Sequence, residues 1–192
     1  MHRGVNMLVL LTMKFFTPPQ PGGTPDLAPD LTAIPFRDMD GKEHTLQDYA
    51  GKVVLVVNVA TLCQLSAQYP ALEALYQQHQ PRGFVVLGFP CNDFASHEPG
   101  SDAEILAFCR THGVTFPLMA KIHVKDTGQH PLFAALTNKL SAFPGEVKWN
   151  FGKFLIGRDG KPLARFKPRT KPDAPEIAAA IESALSRAPE EA

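Results

Sequence analysis

The stretch NVATLCQLSAQYPALEALY, Asn58 to Tyr76, places a thiol where an apolar run hands over to a helical pattern. The chemistry open to such a residue is nucleophilic. A free thiol ionises near pH 8.5, and a helix N-terminus or a nearby cation lowers that to roughly 3.5–7.5. The thiolate is the form that attacks electrophiles. A free cysteine is as often a small buried hydrophobe with an inert sulfur. Position alone leaves both readings of Cys63 open. A helix that starts only at Pro70 would weaken the first, because its dipole would be distant.

Two further thiols, Cys91 in FPCN and Cys109 in ILAFCRTHG, bring the cysteine count to three. An odd, low count argues against a secreted disulfide scaffold and fits a reducing compartment with working thiols. There is no CxxC and no His/Cys group with zinc spacing, so no metal is expected. Acids and bases balance at 19 each in 192 residues, which gives no hint of nucleic acid. No apolar stretch approaches the ~18 residues of a membrane span. The opening MHRGVNMLVLLTMKFF has a short apolar run broken by Lys14, without a convincing small-x-small cleavage site. It is read as an upstream start, with Met7 or Met13 as the true one and periplasmic export as the alternative. The proline-rich run TPPQPGGTPDLAPD can neither nucleate helix nor pair as a central strand. Residues 1–31 are therefore expected to be a disordered arm, 32–188 the folded domain and 189–192 a tail.

The elements that must position the thiol follow from pattern. AIPFRDMDGKEHTLQDY reads as a hairpin about Asp40-Gly41. KVVLVVNVA and GFVVLGFPC are continuous apolar runs, the mark of strands buried on both faces. PALEALYQQHQ between them is helical, with Pro70 in its first turn. SDAEILAFCRTHG offers a capping box, Ser101 with Glu104, and Gly113 as a stop. HPLFAALTNKL is helical, NFGKFLIGRDGKPLARF a hairpin about Asp159-Gly160, and APEIAAAIESALSR an amphipathic helix. Two buried strands joined by a helix imply a parallel, right-handed βαβ unit. The closing hairpin makes the sheet mixed. The fold class is α/β: a mixed central sheet flanked by helices, a three-layer sandwich. In such sheets reacting groups sit past the carboxyl ends of the strands, where Cys63 falls.

The motifs GKVVLVVNVATLC, GFVVLGFPCNDF, EPGSDAEI, GVTFPLMAKI, HPLF, KWNFGKFLIGRDG and TKPD, in that order, resemble the cysteine-type glutathione peroxidases, a branch of the thioredoxin-like fold. The resemblance runs from about Pro35 to Leu185. It implies that Cys63 is the peroxidatic residue, whose thiolate reduces hydrogen peroxide or an organic hydroperoxide and becomes a sulfenic acid. It implies that Trp149 and Asn150 are donors beside the sulfur, an indole N–H and an amide N–H₂. Cys109 falls where many members carry a resolving cysteine. The residues alone read it equally as a core thiol beside Ile105 and Phe108. Cys91 also matches a family cysteine and is read as structural. The segment between HPLF and KWNF is short, which resembles the monomeric branch. The resemblance therefore implies thioredoxin or glutathione as reductant, with thioredoxin expected from the short segment, and no bound cofactor; the low cysteine count points to a cytoplasmic setting. Two readings compete with the enzyme: a redox sensor that passes oxidation to a partner protein, and a degenerate member with weak activity.

The sequence departs from the family pattern in two places. CGFTPQY becomes CQLSAQY, so Gln64, Ser66 and Ala67 replace Gly, Thr and Pro. NQFGGQEPG becomes NDFASHEPG, so His97 stands where the family's catalytic glutamine falls. Glutamine is a donor at every pH, whereas histidine titrates with an ordinary pKa near 6.5. His97 is expected to act as a donor to the Cys63 site. Asp93 is a candidate partner for it.

Overall fold

The computed structural model describes residues 30–187. The arm as far as residue 29 and the tail lie outside the described residues. Leu31, at the end of that arm, is buried in the core.

Strands β1 (Phe36–Arg37) and β2 (Glu43–His44) pair antiparallel about the Asp40-Gly41 turn. Gly41 sits there at φ 81°, a conformation that suits glycine. Then come β3 (Val53–Val59), α1 (Tyr69–His79), β4 (Phe84–Pro90), α2 (Asp102–Thr111), α3 (Pro131–Thr137), β5 (Lys153–Ile156), β6 (Pro162–Phe166) and α4 (Pro175–Ser186). The main sheet has the order β4-β3-β5-β6. β3 and β4 are parallel, with α1 as the crossover, and β5 and β6 run antiparallel. This is the mixed α/β sheet that the patterns imply.

Both buried strands read as near-continuous apolar runs because both faces of the sheet are covered. Side chains alternate between faces along a strand. Val53, Leu55, Val57 and Val59 pack with Leu72 of α1, Ile105 and Cys109 of α2, and Ile177 and Ile181 of α4. Val54 and Val56 face the other way, onto Leu132, Phe133 and Leu136 of α3 and onto Phe36 and Leu46. The result is three layers.

The Ser101–Glu104 capping box forms at the start of α2. The start of α1 is less simple. An α-helix can begin at Pro70 because proline lacks the N–H that an interior position would use. The chain between Cys63 and α1 fills the gap with a tighter 3-10 turn, Gln64–Gln68.

Candidate active site

Cys63 follows the carboxyl end of β3 and caps that 3-10 turn. Its Sγ accepts the Leu65 N–H at 3.4 Å. An N–H aimed at sulfur interacts more strongly with a thiolate than with a thiol. This contact, rather than the dipole of α1, is what the fold supplies, since α1 starts only at Tyr69. Cys63 is 4% exposed and lies in the wall of a cleft of about 1340 Å³. His97 and Trp149 line the same cleft, together with Leu62, Gln64 and Leu65.

Three contacts bring the His97 loop to the thiol. The His97 carbonyl accepts the Leu62 N–H at 3.0 Å. The buried Glu98 carboxylate accepts the Thr61 N–H at 2.8 Å and its hydroxyl at 2.6 Å. Burial pushes the Glu98 carboxyl up, and the two Thr61 bonds pull it back. Ala95 and Ser96, just before His97, both stand at φ 53°. A left-handed backbone costs a non-glycine residue roughly 1–2 kcal/mol. The loop keeps this shape because its ends are tied down. The His97 ring meets Trp149 edge-on at 5.8 Å, and its Nδ1 is buried without a partner. Asp93 does not pair with His97. Its carboxylate takes His123 Nδ1 at 2.6 Å and the Val124 N–H at 2.6 Å, on the far side of the loop.

Trp149, Asn150 and Phe151 form a turn that enters β5. Trp149 is partly exposed in the cleft. Asn150 is fully buried and does not line the cleft; its Nδ2 has no partner. Its Oδ1 accepts the Cys91 thiol at 3.6 Å, and Asn58 Nδ2 approaches the same sulfur at 3.6 Å. Burial pushes the Cys91 thiol up to about 12. Cys91 is thus a neutral hydrogen-bonding group, consistent with a structural part.

Cys109 is fully buried on the inner face of α2. It shares a core cluster with Cys63 and Tyr69 but does not line the cleft. Burial pushes its thiol up to about 11, with Tyr69 opposing. All three cysteines are free.

A family model described as glutathione peroxidase matches residues 31–137. The chain is 42% identical over 179 residues to the thioredoxin/glutathione peroxidase BtuE of Escherichia coli, covering 82% of this chain and 97% of that one. It belongs to the glutathione peroxidase family. It is also 48% identical over 158 residues to a hydroperoxy fatty acid reductase of Synechocystis, covering 77% of this chain and 90% of that one. A thiol:disulfide interchange protein of the thioredoxin family from Chlorobium tepidum superposes with a TM-score of 0.61 at 21% identity, covering 83% of this chain and 99% of that one. That likeness shows the fold, which is thioredoxin-like. The protein is accordingly an oxidoreductase, a thiol-based peroxidase of that family.

Two residues at or beside the cleft went unnoticed in the sequence. Arg165 of β6 donates through its guanidinium to the carbonyls of Phe143, Pro144, Gly145 and Glu146, at 3.0, 3.1, 2.7 and 2.6 Å. It holds the loop that walls the cleft. Lys153 is the other. It is fully buried, and its Nζ donates to the Phe151 carbonyl at 2.7 Å. A lysine inside the apolar run KFLI was the available signal.

Burial pushes the Lys153 ammonium down to about 7, against about 10.4 for an unfolded chain. Between these values the unfolded chain binds more protons than the folded one, so stability rises with pH. Below about pH 7 the full cost of the buried charge is present. Compared with Lys153→Met, wild type is expected to gain about 1 kcal/mol of unfolding free energy per pH unit from pH 7 to 9. Urea denaturation of both proteins measures this. A free-energy gap that does not change with pH would mean that the ammonium stays hydrated.

Proposed function

We propose that Cys63 is the peroxidatic residue, that His97, Trp149 and Asn150 supply donors around it, and that Cys109 resolves the oxidised sulfur. One observation carries this reading: the Cys63 sulfur, faced by the Leu65 N–H, lies in a cleft wall that it shares with His97 and Trp149. The thiolate attacks the terminal peroxide oxygen. An S–O bond forms, the O–O bond breaks, and the leaving oxygen takes a proton to become water or an alcohol. Donors aimed at the departing oxygen stabilise the charge that develops there. Leu62, Leu65, Phe143, Val147 and Trp149 give the cleft apolar walls, which suit the organic group of a hydroperoxide.

The sulfenic acid of Cys63 is then attacked by Cys109. The S–S bond forms, and hydroxide leaves and is protonated to water. A fully buried thiol held up at about 11 is a poor nucleophile, so α2 has to open locally first. A dithiol reductant restores both thiols and leaves as a disulfide. Thioredoxin is the reductant we propose. The relative from Escherichia coli carries both thioredoxin and glutathione in its name. We further propose a monomer in a reducing, cytoplasmic setting, from the short 138–148 segment and the low cysteine count.

Stoichiometric hydroperoxide followed by peptide mapping is expected to yield a Cys63–Cys109 disulfide. Thioredoxin with its reductase should then reduce that disulfide at least tenfold faster than glutathione. A Cys63–Cys91 bond, or only sulfinic acid at Cys63, would remove Cys109 from the cycle. Equal rates with glutathione would remove thioredoxin's priority.

A further inference from the structure

Lys153 is fully buried, and no step above uses it. Its nitrogen bonds to no carboxylate; both of its bonds are to backbone carbonyls. An ammonium buried without a counter-ion is costly, and an apolar side chain of similar volume often serves a core better. What the nitrogen holds is therefore informative.

It donates to the Phe151 carbonyl at 2.7 Å and reaches the Pro168 carbonyl at 3.4 Å. Phe151 stands at φ 68°. A bulky residue in that region is a genuine outlier and persists only where its surroundings over-determine it. They do so here. The Phe151 N–H donates to the Asn58 carbonyl at 2.6 Å, and Asn58 Nδ2 donates to the Trp149 carbonyl at 3.1 Å. Cys91 holds Asn150 Oδ1. Lys153 secures the last carbonyl of the turn. The Asn150 Nδ2 is left as a buried donor without a partner.

Pro168 provides the second link. Its carbonyl also accepts Gln68 Nε2 at 2.8 Å, and Gln68 closes the 3-10 turn that Cys63 caps. Pro168 itself lines the cleft.

We infer that Lys153 is a positioning residue of the peroxidase: its nitrogen ties the Trp149–Asn150–Phe151 turn to the Pro168 carbonyl, where Gln68 anchors the turn that carries Cys63. This rests on the reading of Cys63, Trp149 and Asn150 as the reacting site. Lys153 touches no substrate. It sets the placement of the donors relative to the sulfur, and a misplacement of about 1 Å at such a site costs roughly 10²-fold in rate.

The test uses Lys153→Met, which keeps the stem and removes the donors, and Lys153→Gln, which keeps an N–H₂. Three quantities are measured: the rate constant with a hydroperoxide, the rate of Cys63 alkylation by iodoacetamide, and the emission of Trp149, the single tryptophan. Lys153→Met is expected to keep the circular dichroism of wild type. It should shift the Trp149 emission and lose roughly 10- to 100-fold in peroxide rate. Alkylation, which needs no donor for a departing oxygen, should change less than threefold. Lys153→Gln should recover part of the rate. Peroxide rate within twofold of wild type together with unchanged emission would overturn the inference. So would a peroxide loss matched by an equal alkylation loss. If Lys153→Met fails to fold, Lys153→Gln decides by the same two criteria. A wild type that consumes no peroxide would overturn the site reading instead, and the emission shift would still decide whether Lys153 holds the turn.

Discussion

Cys63→Ser is expected to reduce peroxide consumption to the rate of the enzyme-free mixture, with the fold intact. The chemical half of the expectation rests on ionisation. A serine hydroxyl is a far weaker nucleophile than a cysteine thiolate. The structural half rests on the cap. Cys63 closes the 3-10 turn by accepting the Leu65 N–H, and serine is among the best residues for that task. The side chain also becomes slightly smaller, so nothing in the core around Tyr69 and Phe151 is pushed. Circular dichroism and the unfolding midpoint should match wild type within error. Activity should be followed with thioredoxin and with dithiothreitol, so that a reductant effect is not mistaken for a chemical one. Persistent turnover in a folded Cys63→Ser protein would move the reacting sulfur to Cys91 or Cys109. Both of those thiols are held up by burial, to about 12 and about 11, which makes that outcome hard to reconcile with the fold.

The α/β fold was legible because its signals are local and redundant. KVVLVVNVA and GFVVLGFPC are apolar at nearly every residue, the mark of strands covered on both faces. The DG dipeptides at Asp40-Gly41 and Asp159-Gly160 marked turns by chemistry, not by composition. The turn that carries Cys63 was less legible. CQLSAQY has no strong helical period, and the 3-10 segment it forms is set by what lies at each end, the strand β3 and the Pro70 start of α1.

The site was legible only as residues, not as a network. Cys63, His97 and Trp149 could be named from motifs, and the fold brings them to one cleft. What ties them together is long-range and unpatterned. Asn58 holds the Trp149 carbonyl across 91 positions, Cys91 reaches Asn150 across 59, and Gln68 reaches Pro168 across 100. No periodicity predicts such pairs. A polar residue inside an apolar strand run is the one hint, as at Asn58 in VVNV and Lys153 in KFLI. Each turned out to bond backbone carbonyls of the site segments. The proposed Asp93–His97 pair failed for a related reason. Ala95 and Ser96 turn the loop through left-handed geometry, which sends Asp93 to His123 and His97 to Trp149.

His97→Ala is expected to lower the peroxide rate by up to roughly 10²–10³, the cost of one donor in a preorganised site. The geometry fits that part. His97 lines the cleft with Cys63, its ring is fixed edge-on to Trp149, and its Nδ1 is buried without a protein partner. A buried polar atom left unpaired calls for an explanation, and a part in catalysis is one. Histidine and glutamine are not equivalent there. The amide brings two N–H donors at any pH; imidazole brings one when neutral and two when charged. His97→Gln should therefore keep or raise the rate at pH 8, because it restores a donor that does not depend on pH. Removal of the ring must be separated from loss of the loop. The His97 backbone carbonyl still accepts the Leu62 N–H in either variant, and Glu98 still holds Thr61, so the segment stays docked. Wild type, His97→Ala and His97→Gln should be compared from pH 6 to 8 at saturating reductant. If the rate needs the charged ring, wild type falls as pH rises while His97→Gln does not. If the neutral ring suffices, wild type and His97→Gln share one pH profile. Full activity of His97→Ala at every pH would make His97 a loop residue and leave Trp149 and Asn150 as the donors.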